Sequence, residues 1–241
     1  MLLRYNDERH WLRAAPGRVG HLFPRLLGQS EYNQRLKDLA PLLEAALRWL
    51  AAHTPGSAER LRLLDGTPVG CGQSIITTKR SGLFGYAGYG YESAHSRYYW
   101  GVKLLVICTA EGTVIGFGLA NPKLVGEREA VRQLLAQPTN RPPAGSAVVT
   151  DKGLAGQDTE AFFAALELLL VRPARADEHL PRPFPNWLRQ RVEAIIWTLK
   201  RQLGLEHHGG RVPAGLWTRI VQRRLALNTA IWHNWTIGAP V

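Results

Sequence analysis

A mixed α/β sheet flanked by helices, preceded by a smaller helical region, is the fold this 241-residue sequence predicts. Three observations predict it. A leucine-rich helical pattern fills the first 54 residues and stops at the Thr-Pro-Gly-Ser break of residues 54–57. Two β-type apolar runs joined by a tight-turn signal come next. Strand-like and helix-like segments then alternate, the order expected of a mixed sheet with helices on both faces.

The elements follow in order. Glu31 to His53 carries Leu36, Leu39, Leu43, Leu47 and Leu50 at spacings of three and four, a helical stripe. Pro41 suits a helix start better than a helix interior. Arg60 to Asp65 reads as a short strand. Residues 70–97, rich in Gly, Ser and Tyr, read as a long loop or ragged hairpin. Tyr98 to Thr109 and Thr113 to Leu119 are strands joined by Ala110-Glu111-Gly112. Glu127 to Gln137 is a helix, Ser146 to Thr150 a strand, Gln157 to Leu166 a helix and Leu168 to Arg172 a strand. Residues 173–185 hold four prolines and read as irregular. Asn186 to Leu205 and Pro213 to Trp235 are the closing helices. The expected division is a helical region over 1–56 and a sheet domain with its C-terminal helices over 57–241.

Composition bounds the function. Apolar residues make up 45% of the chain, enough for a sizeable core. The longest apolar stretch, Ala164 to Val171, is broken by Glu167 and is far too short to span a bilayer. No signal-peptide pattern opens the chain, so a cytoplasmic location is expected. Cys71 and Cys108, the only cysteines, form no CxxC or Cys/His cluster; two thiols are expected rather than a disulfide or structural zinc. The net charge is +11, and residues 181–241 alone hold nine Lys/Arg against two Glu. Such a balance favours a polyanion partner, nucleic acid first, over a merely solvated basic surface.

Three acidic signatures stand out. Asp65 follows Leu61, Leu63 and Leu64 and precedes Gly66, and Asp151 follows Ala147, Val148 and Val149 and precedes Lys152-Gly153. Each puts a carboxylate at the end of a strand-like run, where α/β sites gather. Each alone is also an ordinary turn aspartate. The third is Glu193. On a helical wheel with Val192 at zero, Arg189, Lys200 and Glu193 fall near about 60°, 80° and 100°, a polar stripe beside the buried face. A plain i,i+4 charge ladder is the alternative. Two strand-borne aspartates and a helix-borne glutamate are the donor set that holds two Mg²⁺ ions over a phosphodiester, roughly 4 Å apart. Arg189 and Lys200 would then meet phosphates.

The residues now support a resemblance. Leu-Leu-Asp65-Gly-Thr-Pro-Val, Tyr99-Trp100-Gly101-Val102-Lys103-Leu104, Asp151-Lys152-Gly153 with Gly156, and Arg189-x3-Glu193-x6-Lys200 resemble the DDE-type transposases of bacterial insertion sequences, with their RNase H-like, integrase-type fold. Leu205 to Arg211 and the helix ending Ala-Ile-Trp-His-Asn are similar to that group as well. The resemblance implies an RNase H-like mixed five-stranded sheet, with Asp65, Asp151 and Glu193 as catalytic and metal-binding residues. It implies two Mg²⁺, with Mn²⁺ as a substitute, and DNA partners: element terminal inverted repeats and target DNA. A homodimer or larger synaptic complex, working at the bacterial nucleoid without a membrane, goes with it. Lys152, Arg189, Lys200, Arg201, Arg219 and Arg223 are the expected DNA contacts. Leu154 and Asn186 depart from the pattern, standing where the family has tyrosines. Met1 lies close to the helical region, which is what a truncated element copy would show. A non-catalytic DNA-binding remnant and an RNase H-like nuclease without strand transfer are the alternatives.

Two further features bear on DNA. Residues 81–99 interleave Gly and Tyr with His95 and Arg97, next to Lys79 and Arg80. Aromatics and cations together suit unpaired bases, although tyrosines packed on a sheet would read the same way. His207-His208 reads as a helix-end turn rather than a metal site.

Overall fold

The computed structural model describes residues 8–92, 96–175, 178 and 184–240. His95 and most of the proline-rich segment expected to be irregular lie outside the described residues. The leucine stripe near the N-terminus is divided. Helices α1 (Glu8–Val19), α2 (Gln29–Asp38) and α3 (Ala40–Ala52) make up the N-terminal helical region, and Pro41 sits in the first turn of α3, as expected of a helix start, where its missing N–H costs no helical bond.

The sheet has six strands: β1 (Leu61–Gly72), β2 (Gly88–Glu92), β3 (Arg97–Thr109), β4 (Val114–Ala120), β5 (Ala147–Val149) and β6 (Leu169–Val171). β3 is long enough to pair along one edge with β2 at one end and β4 at the other. Its other edge pairs antiparallel with β1, and β5 and β6 follow as parallel strands. This is the RNase H-like mixed sheet, with β2 added. The segment expected to be a long loop or ragged hairpin holds the short helix α4 (Ile75–Arg80) and β2, which pairs antiparallel with β3 as a hairpin strand. β1 runs seven residues past Asp65, because β3 supplies ladder partners as far as Gly72. Asp65 is therefore a mid-strand residue, not a strand end.

Side-chain alternation divides the core into two faces. Leu63, Val102, Leu104, Val106 and Cys108 pack under α7 (Asn186–Trp197) and α8 (Pro213–Thr236). Leu64, Leu105, Ile107 and Val148 pack under α5 (Glu127–Ala136) and α6 (Gln157–Ala165). Leu154, one of the two departures from the resembled pattern, is buried in this second face. Asn186 is exposed at the start of α7. Both cysteines are free thiols, and burial pushes each up to about 12.

The N-terminal helices dock on α8. Leu47 and Leu50 of α3 are buried, Trp217 Nε1 donates to Glu44 at 2.5 Å, Arg219 pairs with Glu8, and Arg219 also donates to Asn33 Oδ1 at 2.8 Å. No helix among the described residues is long and apolar enough to cross a membrane.

Candidate active site

The parallel ladder between β1 and β5 builds the site. Leu61 faces Ala147, Arg62 faces Val148 and Leu63 faces Val149. Each pair is 86 residues apart, the same separation as Asp65 and Asp151, which each lie two residues past the last pair. The charge of Asp151 acts on Asp65, so the two carboxylates are near one another. The ladder stops at Leu63 and Val149, which leaves the edge of β1 open beside Asp65.

Asp65 shares parity with Leu63 and so faces the α7 side of the sheet. Its Oδ1 accepts the N–H of Gly66 at 2.7 Å. Burial drives its pKa up to about 7, and the charges of Asp151 and Glu127 add to the rise. The Gly66 N–H and the Lys103 ammonium oppose it without cancelling it. Asp151 is exposed, and its Oδ1 accepts the Gly153 N–H at 2.9 Å, which turns the chain into a short 3-10 turn at Lys152–Leu154.

A third carboxylate was not singled out from the sequence. Glu127 opens α5 and takes a 2.6 Å ion pair from Lys103 of β3. It approaches β1 from the α5 face, where Gly66 leaves room: a Cβ there would meet Glu127 Oε1 at 3.3 Å and the Lys103 stem at 2.7 Å. A Cβ on Gly153 would likewise come within 3.4 Å of both the Asp151 and the Glu127 carboxylates. The glycines after the two aspartates thus leave room for Glu127 beside them. The signal available beforehand was only a glutamate at a helix start, which is commonplace.

The helix-borne group is arranged differently. Leu188, Val192 and Ile195 of α7 are buried against the sheet, as the wheel requires. Arg191 anchors the helix to the β3–β4 turn, donating to the carbonyls of Ala110 and Glu111 at 3.1 and 3.0 Å. Glu193 is 55% exposed and holds Arg189 Nε at 2.9 Å. It is not among the charges that act on Asp65. After Trp197 the helix widens into a π turn over Thr198–Gln202, so 100° per residue no longer holds there. Lys200 turns inward. Its ammonium lies 3.4 Å from Glu92 and 3.6 Å from Glu206, off the Glu193 stripe.

Of the other expected DNA contacts, Lys152, Arg189 and Arg201 are exposed. Arg219 is half-buried in the contacts with Glu8 and Asn33. Arg223 is only 5% exposed and donates to the carbonyls of Gly204, His207 and Arg219. Burial and Arg219 together lower its pKa to about 10. These two arginines fasten α8 to its neighbours, and neither presents a guanidinium to solvent.

Hard carboxylate oxygens suit Mg²⁺; burial is the main cause of the raised Asp65 pKa, and the smaller repulsion from Asp151 and Glu127 is what a shared cation would relieve. Among the described residues no group of three or more His, Cys, Asp or Glu is set to hold a metal. A second ion, or a third ligand for the first, requires Glu193 or Glu127 to move.

A family model described as the transposase DDE domain matches residues 56–180. That span contains Asp65 and Asp151 and ends before Glu193. No curated protein matches. Solved structures with some likeness include a pre-cleavage Mos1 transpososome, at 12% identity over 90% of this chain and 70% of that one, TM-score 0.28. The Mos1 strand transfer complex matches at 11% identity over 92% and 69%, TM-score 0.30. The Mos1 transposase catalytic domain with raltegravir and Mn matches at 12% identity over 90% and 98%, TM-score 0.29.

Proposed function

The chain belongs to the DDE-domain transposase family, and from that premise we propose that it is the DNA transposase of a bacterial insertion sequence. It would cut phosphodiesters at the element ends and join the freed 3′-hydroxyls to target DNA. The observation that supports this reading is that the charge of Asp151 acts on Asp65, both lying two residues past the last β1–β5 ladder pair.

Asp65, Asp151 and Glu193 are the proposed metal carboxylates. Magnesium held there would supply Lewis-acid polarisation of the scissile phosphate and acidify a bound water. Asp65 would have to ionise to serve, and a neighbouring cation would draw its pKa down from about 7. Glu193 would have to exchange Arg189 for the site, and α7, anchored through Arg191, is the element that would carry it. Lys152, Arg189 and Arg201, all exposed, are the proposed phosphate contacts. The N-terminal helices over residues 1–56 would bind the element ends. Two ends have to be joined, so a dimer or larger assembly at the nucleoid is part of the proposal.

The position of Glu193 also favours a second reading, a DNA-binding remnant without chemistry. Labelled terminal-repeat DNA incubated with the protein and Mg²⁺ distinguishes the readings. Joined products are expected. Cleavage without joining would indicate a nuclease, and binding without either would indicate the remnant. Asp151→Asn should abolish products and leave binding in place; cleavage by this variant would overturn the site.

A further inference from the structure

Past Asp65, β1 leads into a second feature that the carboxylate site does not use. Pro68 to Gly72 borders a groove of about 990 Å³, reached within about 10 Å of strand from Asp65. Opposite lie α4, the β2–β3 ribbon and the turn of residues 205–211. That turn is latched to β1. His208 is buried, its Nε2–H donates to Gly70 O at 2.9 Å, and its Nδ1 accepts the Gly210 N–H at 3.0 Å. Burial holds the ring below its usual pKa, consistent with this neutral donor–acceptor form.

The ribbon beside the groove is aromatic. Register puts Tyr89 opposite Trp100 and Tyr91 opposite Tyr98, so all four stand on one face. Trp100 is buried and serves as the footing. The other three are out in solvent: Tyr98 is 80% exposed, Tyr91 55% and Tyr89 49%. The Tyr91 and Tyr98 rings are 5.0 Å apart and tilted by 54°, which leaves ring faces open. Arg80, Arg97 and Arg211 line the groove with Glu206 as the acid among its described lining residues, and Arg97 Nε also pairs with Glu92 at 2.5 Å. The Glu206 carboxylate is already met by Arg97 at 3.7 Å and Lys200 at 3.6 Å.

We propose that the groove and the tyrosine face of the β2–β3 ribbon bind unpaired, single-stranded DNA. Open aromatic faces take stacked bases, and flanking guanidiniums take the backbone phosphates. A paired duplex hides its base faces in its own stack and would leave the three tyrosines unused. The site rests on the transposase reading for its biological setting, since a strand held here would lie along β1 from Asp65. The binding itself needs neither metal nor chemistry.

The test measures fluorescence anisotropy in EDTA with the full chain, using a short labelled single strand of mixed sequence and the same sequence as a duplex. Tyr91→Ala with Tyr98→Ala should weaken single-strand binding about ten-fold or more while changing duplex affinity less than two-fold. Tyr98→Phe keeps the stacking face and should bind as the parent does. Equal loss on single strand and duplex, or unchanged single-strand affinity, would overturn the proposal. So would a change in sedimentation without a change in affinity, which would mark the face as a contact between copies. Because no cleavage is read, a failure here is separate from a failure of the Asp151 test.

Discussion

The two strand-borne aspartates and the α7 stripe differ in what assembles them. Asp65 and Asp151 each lie two residues past the last β1–β5 ladder pair, Leu63 with Val149, so hydrogen-bond register sets where both segments enter the site. Glu193 and Lys200 depend on helical phase carried over seven residues, and one π turn at Thr198–Gln202 is enough to separate them. Inter-strand register transmits position rigidly, while helical phase is lost wherever the hydrogen-bond ring changes size. The carboxylate group held by the sheet is therefore a built feature. The helix-borne Glu193 stays at the surface, paired with Arg189.

The largest expected effect tests that distinction. Asp151→Asn should cost more than the roughly 100-fold that loss of an outer-shell metal partner costs, measured as cleavage of labelled element ends. If α7 closes on the site, Glu193→Gln costs as much. If Glu193→Gln cleaves normally while Glu127→Gln does not, the third carboxylate comes from α5 and the helix drops out.

Asp65 supplies the next effect, on stability. Its folded pKa of about 7 lies above the unfolded value of about 3.9, so the folded state holds more protons between these limits. Stability in EDTA should accordingly fall as pH rises from about 4 to about 7, by at most roughly 4 kcal/mol. Asp65→Asn should flatten that slope and melt higher than the parent at pH above about 7. Asp151→Asn removes a charge that raises Asp65 and should move the descending limb to lower pH. Denaturant midpoints across the range check both; a parent that is most stable above pH about 7 would refute the Asp65 environment.

Arg223→Met should cost about 2–4 kcal/mol, because it orphans the carbonyls of Gly204 and His207 behind α8. Thermal melting reads this. A DNA-binding defect in Arg223→Met without loss of stability would return this arginine to the DNA surface. The smallest effect belongs to Glu193→Ala. Its ion pair with Arg189 is exposed on both sides, and its loss should change stability by less than about 0.5 kcal/mol. A larger loss would mean that Glu193 is held by the fold, not waiting on its surface.

Particular residues show how far the sequence could be read. The β1, β3 and β4 runs, the alternation of β5, α6 and β6, and the buried stripe of α7 were legible, since apolar periodicity reports which face is covered. The extent of β1 was not, because residues 66–72 are Gly-, Pro- and Cys-containing and become a strand only through pairing with β3. β2 was left open between a loop and a ragged hairpin for the same reason: Gly-Tyr-Gly-Tyr carries little apolar periodicity, and its pairing with β3 decides for the hairpin. Arg219 and Arg223 read as surface cations because charge is normally solvated. Only the docking of α1, α2 and the 205–208 turn against α8 shows that their donors are consumed within the fold.

By itself the sequence determined the order of elements, the apolar faces, the basic excess and the two aspartates 86 residues apart. These are local chemistry, and local chemistry is written residue by residue. The tertiary structure decided that Asp151, Glu127 and Lys103 come near Asp65, that Lys200 turns toward Glu92, and that three tyrosines face solvent. Each of those outcomes depends on which distant segment supplies the hydrogen-bond or packing partner, and periodicity along one chain does not encode that choice.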